Sequence, residues 1–309
     1  MPGRIIEIAG EERYLHVARG FLVVETDDGE AGRVPLDDIA AVIVTARQAR
    51  YSNRLVCALA DRNALLIPCD ERFRPVGWLW PLSGHYGQGG RMAAQAGAGR
   101  PRNKRLWQQI VRAKIAAQAQ ALRAAGAPHA GVAALAARVR SGDPDNVEAQ
   151  AARRYWPLMM GPDFSRDRGA DGANALLNYG YTVLRAVTAR AIAAAGLHPT
   201  LGLHHGNRTN AMALADDLME PFRPYVDLSV KGLMKQGQTD VSPTAKRHLA
   251  ALSTWDMPSP QGVSPLMTVL HRLAASLGGV YEGDGGTLAL PEAPTDLHLA
   301  ALLNPDVSA

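Results

Sequence analysis

Short bursts of alternating apolar and polar residues over the first eighty positions, a glycine-rich interruption, and long alanine-rich stretches beyond it predict an α+β protein. The expected order is a small N-terminal β-rich domain over residues 1–84, then a Gly-rich connector over 85–100. A larger all-α domain over 101–280 and a C-terminal tail over 281–309 complete it. The chain has 309 residues, 47% hydrophobic and 20% charged, a composition that supports buried cores rather than disorder.

Strands are expected at Arg4 to Ile8, Arg13 to Val17, Phe21 to Thr26, Ile39 to Val44, Leu65 to Pro68 and Val76 to Leu79, where apolar positions alternate or cluster between turn residues. Asp28-Gly29 is a hairpin turn signal. Ser52 can cap a helix to about Arg62 with Leu55, Val56, Leu59 and Ala60 inward. Six glycines between 84 and 99 mark the connector as mobile. Helices are then expected at Pro101 to Ala125, Val132 to Arg140, Asn146 to Met160, Asp171 to Ala195, Ala211 to Pro221, Val226 to Met234, Pro243 to Leu252 and Ser264 to Leu277. The glycine- and proline-rich stretch after Gly278 reads as a loosely held tail.

Cys57 and Cys69 are too few for a disulfide framework or a four-ligand zinc site, and they suit a reducing compartment. No stretch of about 18 apolar residues could span a bilayer, and no secretory leader pattern opens the chain, so a cytoplasmic protein with no membrane partner is expected. The net charge of +4 is mildly basic. Its positive residues cluster: Arg100, Arg102, Lys104, Arg105, Arg112 and Lys114, then Arg138, Arg140, Arg153 and Arg154. Such runs are solvated helix faces more often than nucleic-acid tracks, and both readings stand.

Three positions carry possible metal chemistry. Glu148 follows Asp145 by three residues, a spacing that also fits a capping box, in which the glutamate serves only backbone amides. Asp217 and Glu220 are spaced i, i+3 on one helical face, near the helix's C-terminal end where the dipole disfavours negative charge. That face is either solvated surface or is held by a cation. His204 and His205 lie in the preceding loop, and an imidazole with two carboxylates suits Mn²⁺ or Mg²⁺.

The run His204-His205-Gly206-Asn207-Arg208-Thr209-Asn210, the segment Leu214-Ala215-Asp216-Asp217-Leu218-Met219-Glu220-Pro221-Phe222-Arg223-Pro224, and Val226-Asp227 closely resemble the CRISPR adaptation integrase family, in its type II-like branch. Glu148 ahead of Ala151-Ala152-Arg153-Arg154-Tyr155-Trp156, and Asn174-Ala175-Leu176-Leu177-Asn178-Tyr179-Gly180-Tyr181, extend the resemblance over almost the whole helical half. The resemblance implies a catalytic helical domain whose Glu148, His205 and Glu220 bind one divalent metal, with Asp217 beside it. It favours His205 over His204 through the family pattern Gly-x-x-His at Gly202-Leu203-His204-His205, and many relatives have aspartate where this chain has Glu220.

The activity implied is spacer acquisition: joining 3′-hydroxyl ends of short DNA fragments to a repeat array by transesterification, with DNA endonuclease activity. The implied assembly is a homodimer on double-stranded DNA, two such dimers being bridged by a dimer of a smaller adaptation protein. Arg153, Arg154, Arg102 and Lys104 are the candidate DNA contacts. Two alternatives remain: a structure-specific metal-dependent DNA nuclease, and a non-catalytic DNA-binding scaffold.

Overall fold

The computed structural model of the chain describes residues 3–71, 75–82, 84–204 and 209–304. Its first part runs Arg4–Ile8 (β1), Glu12–Ala18 (β2), Phe21–Thr26 (β3), Gly29–Pro35 (β4), Ile39–Val44 (β5), Gln48–Tyr51 (β6), the helix Asn53–Ala60 (α1) and Leu65–Pro68 (β7). The strands form two sheets, β4-β3-β2-β6 and β1-β5-β7, the second wholly parallel. Ser52 caps α1 by accepting from the Leu55 amide at 3.2 Å.

Strand β5 is buried along its whole length, as expected of a parallel strand covered on both faces. Ala41 and Ile43, with Leu65 and Ile67, join the core of the helical half. Val42 and Val44, with Leu66, pack instead against Leu15, Leu22, Leu55 and Leu59. The parallel sheet is therefore a wall shared by two cores.

Two strands escape the sequence pattern. Strands β4 and β6 are mostly exposed edge strands without apolar alternation, so nothing in their composition marks them. The expected strand Val76 to Leu79 is reduced to isolated pairings of Leu79 with Leu66 and Pro75 with Cys69. Pro75 and Pro81 bracket it, and neither can donate to a ladder.

The expected mobile connector is instead largely helical, Gln88–Ala96 (α2). Its glycines sit at or near the ends, leaving Arg91-Met92-Ala93-Ala94-Gln95-Ala96 as good helix formers. Buried Gln95 donates to the carbonyls of His198 and Leu201 (3.0 and 2.9 Å) and accepts from the His198 amide (2.8 Å). Arg91 bonds the Ala195 carbonyl at 2.9 Å and Glu282 at 2.9 Å.

The helical half contains Arg100–Ala124 (α3), Ala130–Ala133 (α4), Val147–Met160 (α5), Ala173–Ala194 (α6), Ala213–Leu218 (α7), Arg223–Lys235 (α8) and Pro243–Ala251 (α9). The hairpin Asp256–Ser259 (β8) and Gly262–Pro265 (β9) follows, then Leu266–Glu282 (α10) and Asp296–Leu303 (α11). The hairpin is an unexpected β element in an otherwise helical half. Arg272 fastens it to α10 through Ser259 (2.7 Å) and Ser264 (3.1 Å). The stretch expected as one helix over Val132 to Arg140 breaks into α4 and a 3₁₀ turn, Ala136–Arg138.

The expected loose tail contains α11, which docks on α8 with Leu299 and Leu302 buried. Gly232 of α8 permits the approach, since a Cβ there would lie 2.6 Å from the Leu303 carbonyl oxygen. Helices α3 and α6 run through the helical core, where Trp107, Tyr155, Phe222 and Tyr225 are fully buried.

Candidate metal centre

Glu148 lies in the first turn of α5, and the capping-box explanation for it fails. Asn146, in the left-handed conformation at φ 50°, is the N-cap and accepts from the Ala149 amide at 3.3 Å. Asp143 accepts from the amides of Val147 (2.9 Å) and Glu148 (3.0 Å), while Asp145 pairs with Arg140 at 2.8 Å. With the helix end satisfied by these groups, the Glu148 carboxylate is turned toward α3.

Glu220 opens a 3₁₀ turn, Glu220–Phe222, between α7 and α8. It is only 4% exposed, which excludes the solvated-face reading. Lys114 of α3 joins the two acids: its Nζ lies 2.5 Å from Glu148 Oε1 and 2.5 Å from Glu220 Oε2. Arg223 Nε lies 3.0 Å from the other glutamate oxygen, Glu220 Oε1.

Lys114 is thereby removed from the exposed basic cluster to which the sequence assigned it. The helical period explains why: it follows Trp107 by seven residues and Ile110 by four, on the buried stripe of α3. Burial pushes its ammonium down, but Glu220 and Glu148 together outweigh burial and Arg223, so its pKa lies above the ordinary lysine value.

Another buried carboxylate, Asp227, lies in the next element along the chain, α8. Asp227 accepts from Tyr155 OH at 2.9 Å and from Tyr181 OH through a shorter hydrogen bond. Burial pushes its pKa up to about 6, against the two phenol donors, Arg223 and Lys114. The Arg223 guanidinium lies 4.8 Å above the Tyr181 ring, linking this network to Glu220. Lys114, Arg223, Asp227, Tyr155 and Tyr181 have no part in the site as read from sequence, although Glu220, Arg223 and Asp227 at i, i+3 and i+7 could have marked a common face.

Asp217, expected on a shared face with Glu220, is fully buried and does something different. Its Oδ2 accepts from the amides of Leu203 (2.6 Å) and His204 (3.1 Å), tying down the chain just ahead of residue 205. The His204 ring stacks on Trp107 of α3, centroids 4.6 Å apart and planes 2° from parallel. His205 lies outside the described residues. Among the described residues no three His, Cys, Asp or Glu side chains are grouped to hold a metal; Glu148 and Glu220 are the pair that converges.

The candidate DNA contacts lie at the surface. Arg153 and Arg154 project from α5, Arg154 donating to the Gly131 carbonyl at 3.3 Å. Arg102 reaches the carbonyls of Val280 and Tyr281 at 3.4 and 3.5 Å. Lys104 lays its stem over Gly142, where a Cβ would lie 2.8 Å from its Cγ.

The family described as CRISPR associated protein Cas1 matches residues 6–248. The chain belongs to the Cas1 family. It is 37% identical over 283 residues to the CRISPR-associated endonuclease Cas1 of Neisseria meningitidis, covering 90% of this chain and 92% of that protein. That likeness is consistent with the type II-like branch. A second relative, the CRISPR-associated endonuclease Cas1 2 of Pyrobaculum aerophilum, is 27% identical over 289 residues, covering 88% of this chain and 97% of that protein.

Among solved structures, a casposase bound to its integration product superposes with a TM-score of 0.77 at 20% identity, covering 92% of both chains. A Cas1 protein from Thermotoga maritima gives 0.70 at 15% identity, covering 90% of this chain and 97% of that one. A Cas6-RT-Cas1–Cas2 complex gives 0.73 at 18%, covering 94% of this chain and 36% of the other. At these identities the structures establish the fold: N-terminal sheets followed by a mostly helical half.

Proposed function

We propose that this Cas1-family chain acts in CRISPR adaptation, joining 3′-hydroxyl ends of short DNA fragments to a repeat array through a divalent-metal site of Glu148, His205 and Glu220. The observation that carries the reading is the convergence of two largely buried carboxylates, far apart in sequence, on one cation. Two hard oxygen donors within one cation's span, with an imidazole from the loop at 205, make a donor set that fits Mn²⁺ or Mg²⁺. Such an ion, when bound, lowers the pKa of an attacking hydroxyl and offsets charge developing on phosphoryl oxygens.

The chain's own groups account for the rest. Arg223 holds Glu220 from its far oxygen, so one carboxylate oxygen stays directed at Lys114 and at any cation that replaces it. Asp217 positions the backbone leading to His205, an indirect role of the kind that usually tunes a site. Arg153, Arg154, Arg102 and Lys104 supply phosphate contacts on double-stranded DNA. The family resemblance supports a homodimer, two of which are bridged by a small partner dimer, and the neighbour solved as a Cas6-RT-Cas1–Cas2 complex supports a heterocomplex with a partner protein.

Hydrolysis at the same site is the second reading, favoured by the name endonuclease carried by the relatives. Purified chain, its small partner, 3′-hydroxyl DNA fragments and a plasmid bearing the array distinguish the two. Joined products in Mn²⁺ or Mg²⁺ support integration; nicked plasmid with no joined DNA supports a nuclease; metal-independent binding without chemistry supports a scaffold.

A further inference from the structure

We infer that Lys114 is a displaceable internal counter-ion, an ammonium that competes with the divalent metal for the same oxygens of Glu148 and Glu220 and so sets the site's metal affinity. The inference rests on the proposed metal reading. Among the described residues Lys114 is the only side-chain partner of the Glu148 carboxylate, at 2.5 Å. It also meets Glu220 on Oε2, the oxygen that Arg223 leaves available for a second cation. An ammonium held between two carboxylate oxygens stands where an oxygen-ligated ion would stand, and the two positive charges cannot share that space.

The surroundings favour exchange over a permanent ion pair. The Lys114 side chain is 12% exposed and Glu148 23%, so the pair lies under the surface but within reach of water, whereas Glu220 at 5% is held from its other side by Arg223. Removing Lys114 to solvent leaves Glu220 still oriented and frees the Glu148 carboxylate to turn. The flexible four-carbon stem of lysine allows that movement in a way a forked guanidinium would resist. Before metal arrives, Lys114 prevents two buried like charges from repelling, so the ligands are gathered without the ion.

The test is Mn²⁺ titration of the full-length chain without DNA, by calorimetry and by thermal shift, on wild type, Lys114→Met, Lys114→Arg, Glu148→Gln and Glu220→Gln. Lys114→Met should bind Mn²⁺ about tenfold or more tightly than wild type, because a positive charge a few ångström from the ion is gone. Its metal-free melting temperature should fall, and Mn²⁺ should raise it more than in wild type. Lys114→Arg keeps the charge and the fold, grips the carboxylates in two places, and should bind Mn²⁺ more weakly than wild type. Weaker binding by both Lys114 variants, or equal binding by all three chains, overturns the inference and makes Lys114 structural. Glu148→Gln and Glu220→Gln report on the metal reading itself. If both bind Mn²⁺ as wild type does, that reading fails and the inference falls with it.

Discussion

Glu220 and Asp227 are seven residues apart on one side of the same segment and equally withdrawn from solvent, at 4% and 2% exposure, yet they are satisfied in opposite ways. Glu220 is met by two cations, Lys114 and Arg223. Asp227 is met by two neutral phenols, Tyr155 and Tyr181. A carboxylate neutralised by a mobile ammonium can trade that partner for another cation. One that accepts from rigid, buried phenols is fixed in place, and burial draws it toward protonation. The upper position is built for exchange and the lower one for support.

The largest effects should fall on the upper position. On the proposed reading, in which each is a metal ligand, Glu148→Ala, His205→Ala and Glu220→Ala should each reduce strand transfer to background while circular dichroism stays near wild type. His204→Ala should do less; if His204→Ala is inactive and His205→Ala is not, the imidazole assignment is reversed.

Asp217→Asn should lower integration by roughly 10–100-fold, the usual range for a group that positions a ligand without being one. An amide oxygen can still accept from the Leu203 and His204 amides, so raised Mn²⁺ should restore part of the activity. Glu220→Gln should show no such rescue. Equal, unrescued loss in the two variants would make Asp217 a direct ligand.

The lower position predicts a pH signature in stability rather than activity. The folded pKa of Asp227 is raised, so its contribution is complete below the unfolded value near 3.8 and is lost as pH rises through about 6. The size is roughly 3 kcal/mol across that window. Asp227→Asn should flatten the stability profile between those limits, as read by denaturant unfolding; an unchanged profile would show that Asp227 does not titrate there. Tyr155→Phe, which deprives a buried carboxylate oxygen of its donor, should cost about 1–3 kcal/mol.

The smallest effect is expected at the surface. Reversing Arg153 and Arg154 should lower the slope of log affinity against log salt by about 0.9 for each phosphate that is no longer neutralised. An unchanged slope returns both to ordinary solvated surface.

These regions also differ in how far they can be read from sequence. Strands β3, β5 and β7 carry their boundaries in apolar runs ended by turn residues, whereas spacing alone leaves Glu148 readable as a cap and Glu220 as surface, and only the family resemblance singles the two out. Strands β4 and β6 do not, because edge strands pair through backbone and bury little. Helices α2 and α11 are hidden by neighbouring glycines and prolines, and they are held by long-range interactions such as Gln95 with His198 and Gly232 with Leu303. Lys114 is easily misread because a run of basic residues suggests a solvated face, while its place on the period of α3 turns it inward. The phenol pair on Asp227 joins three separate helices, α5, α6 and α8, which no local pattern reports.

The most direct test supplies the chain and its small partner with DNA fragments ending in either a 3′-hydroxyl or a 3′-hydrogen, plus an array plasmid, in Mn²⁺ or in chelator. Joined products are predicted only with 3′-hydroxyl ends and only with metal. Joining that persists in chelator, or cleavage alone that is indifferent to the 3′ end, would contradict a metal-dependent integrase.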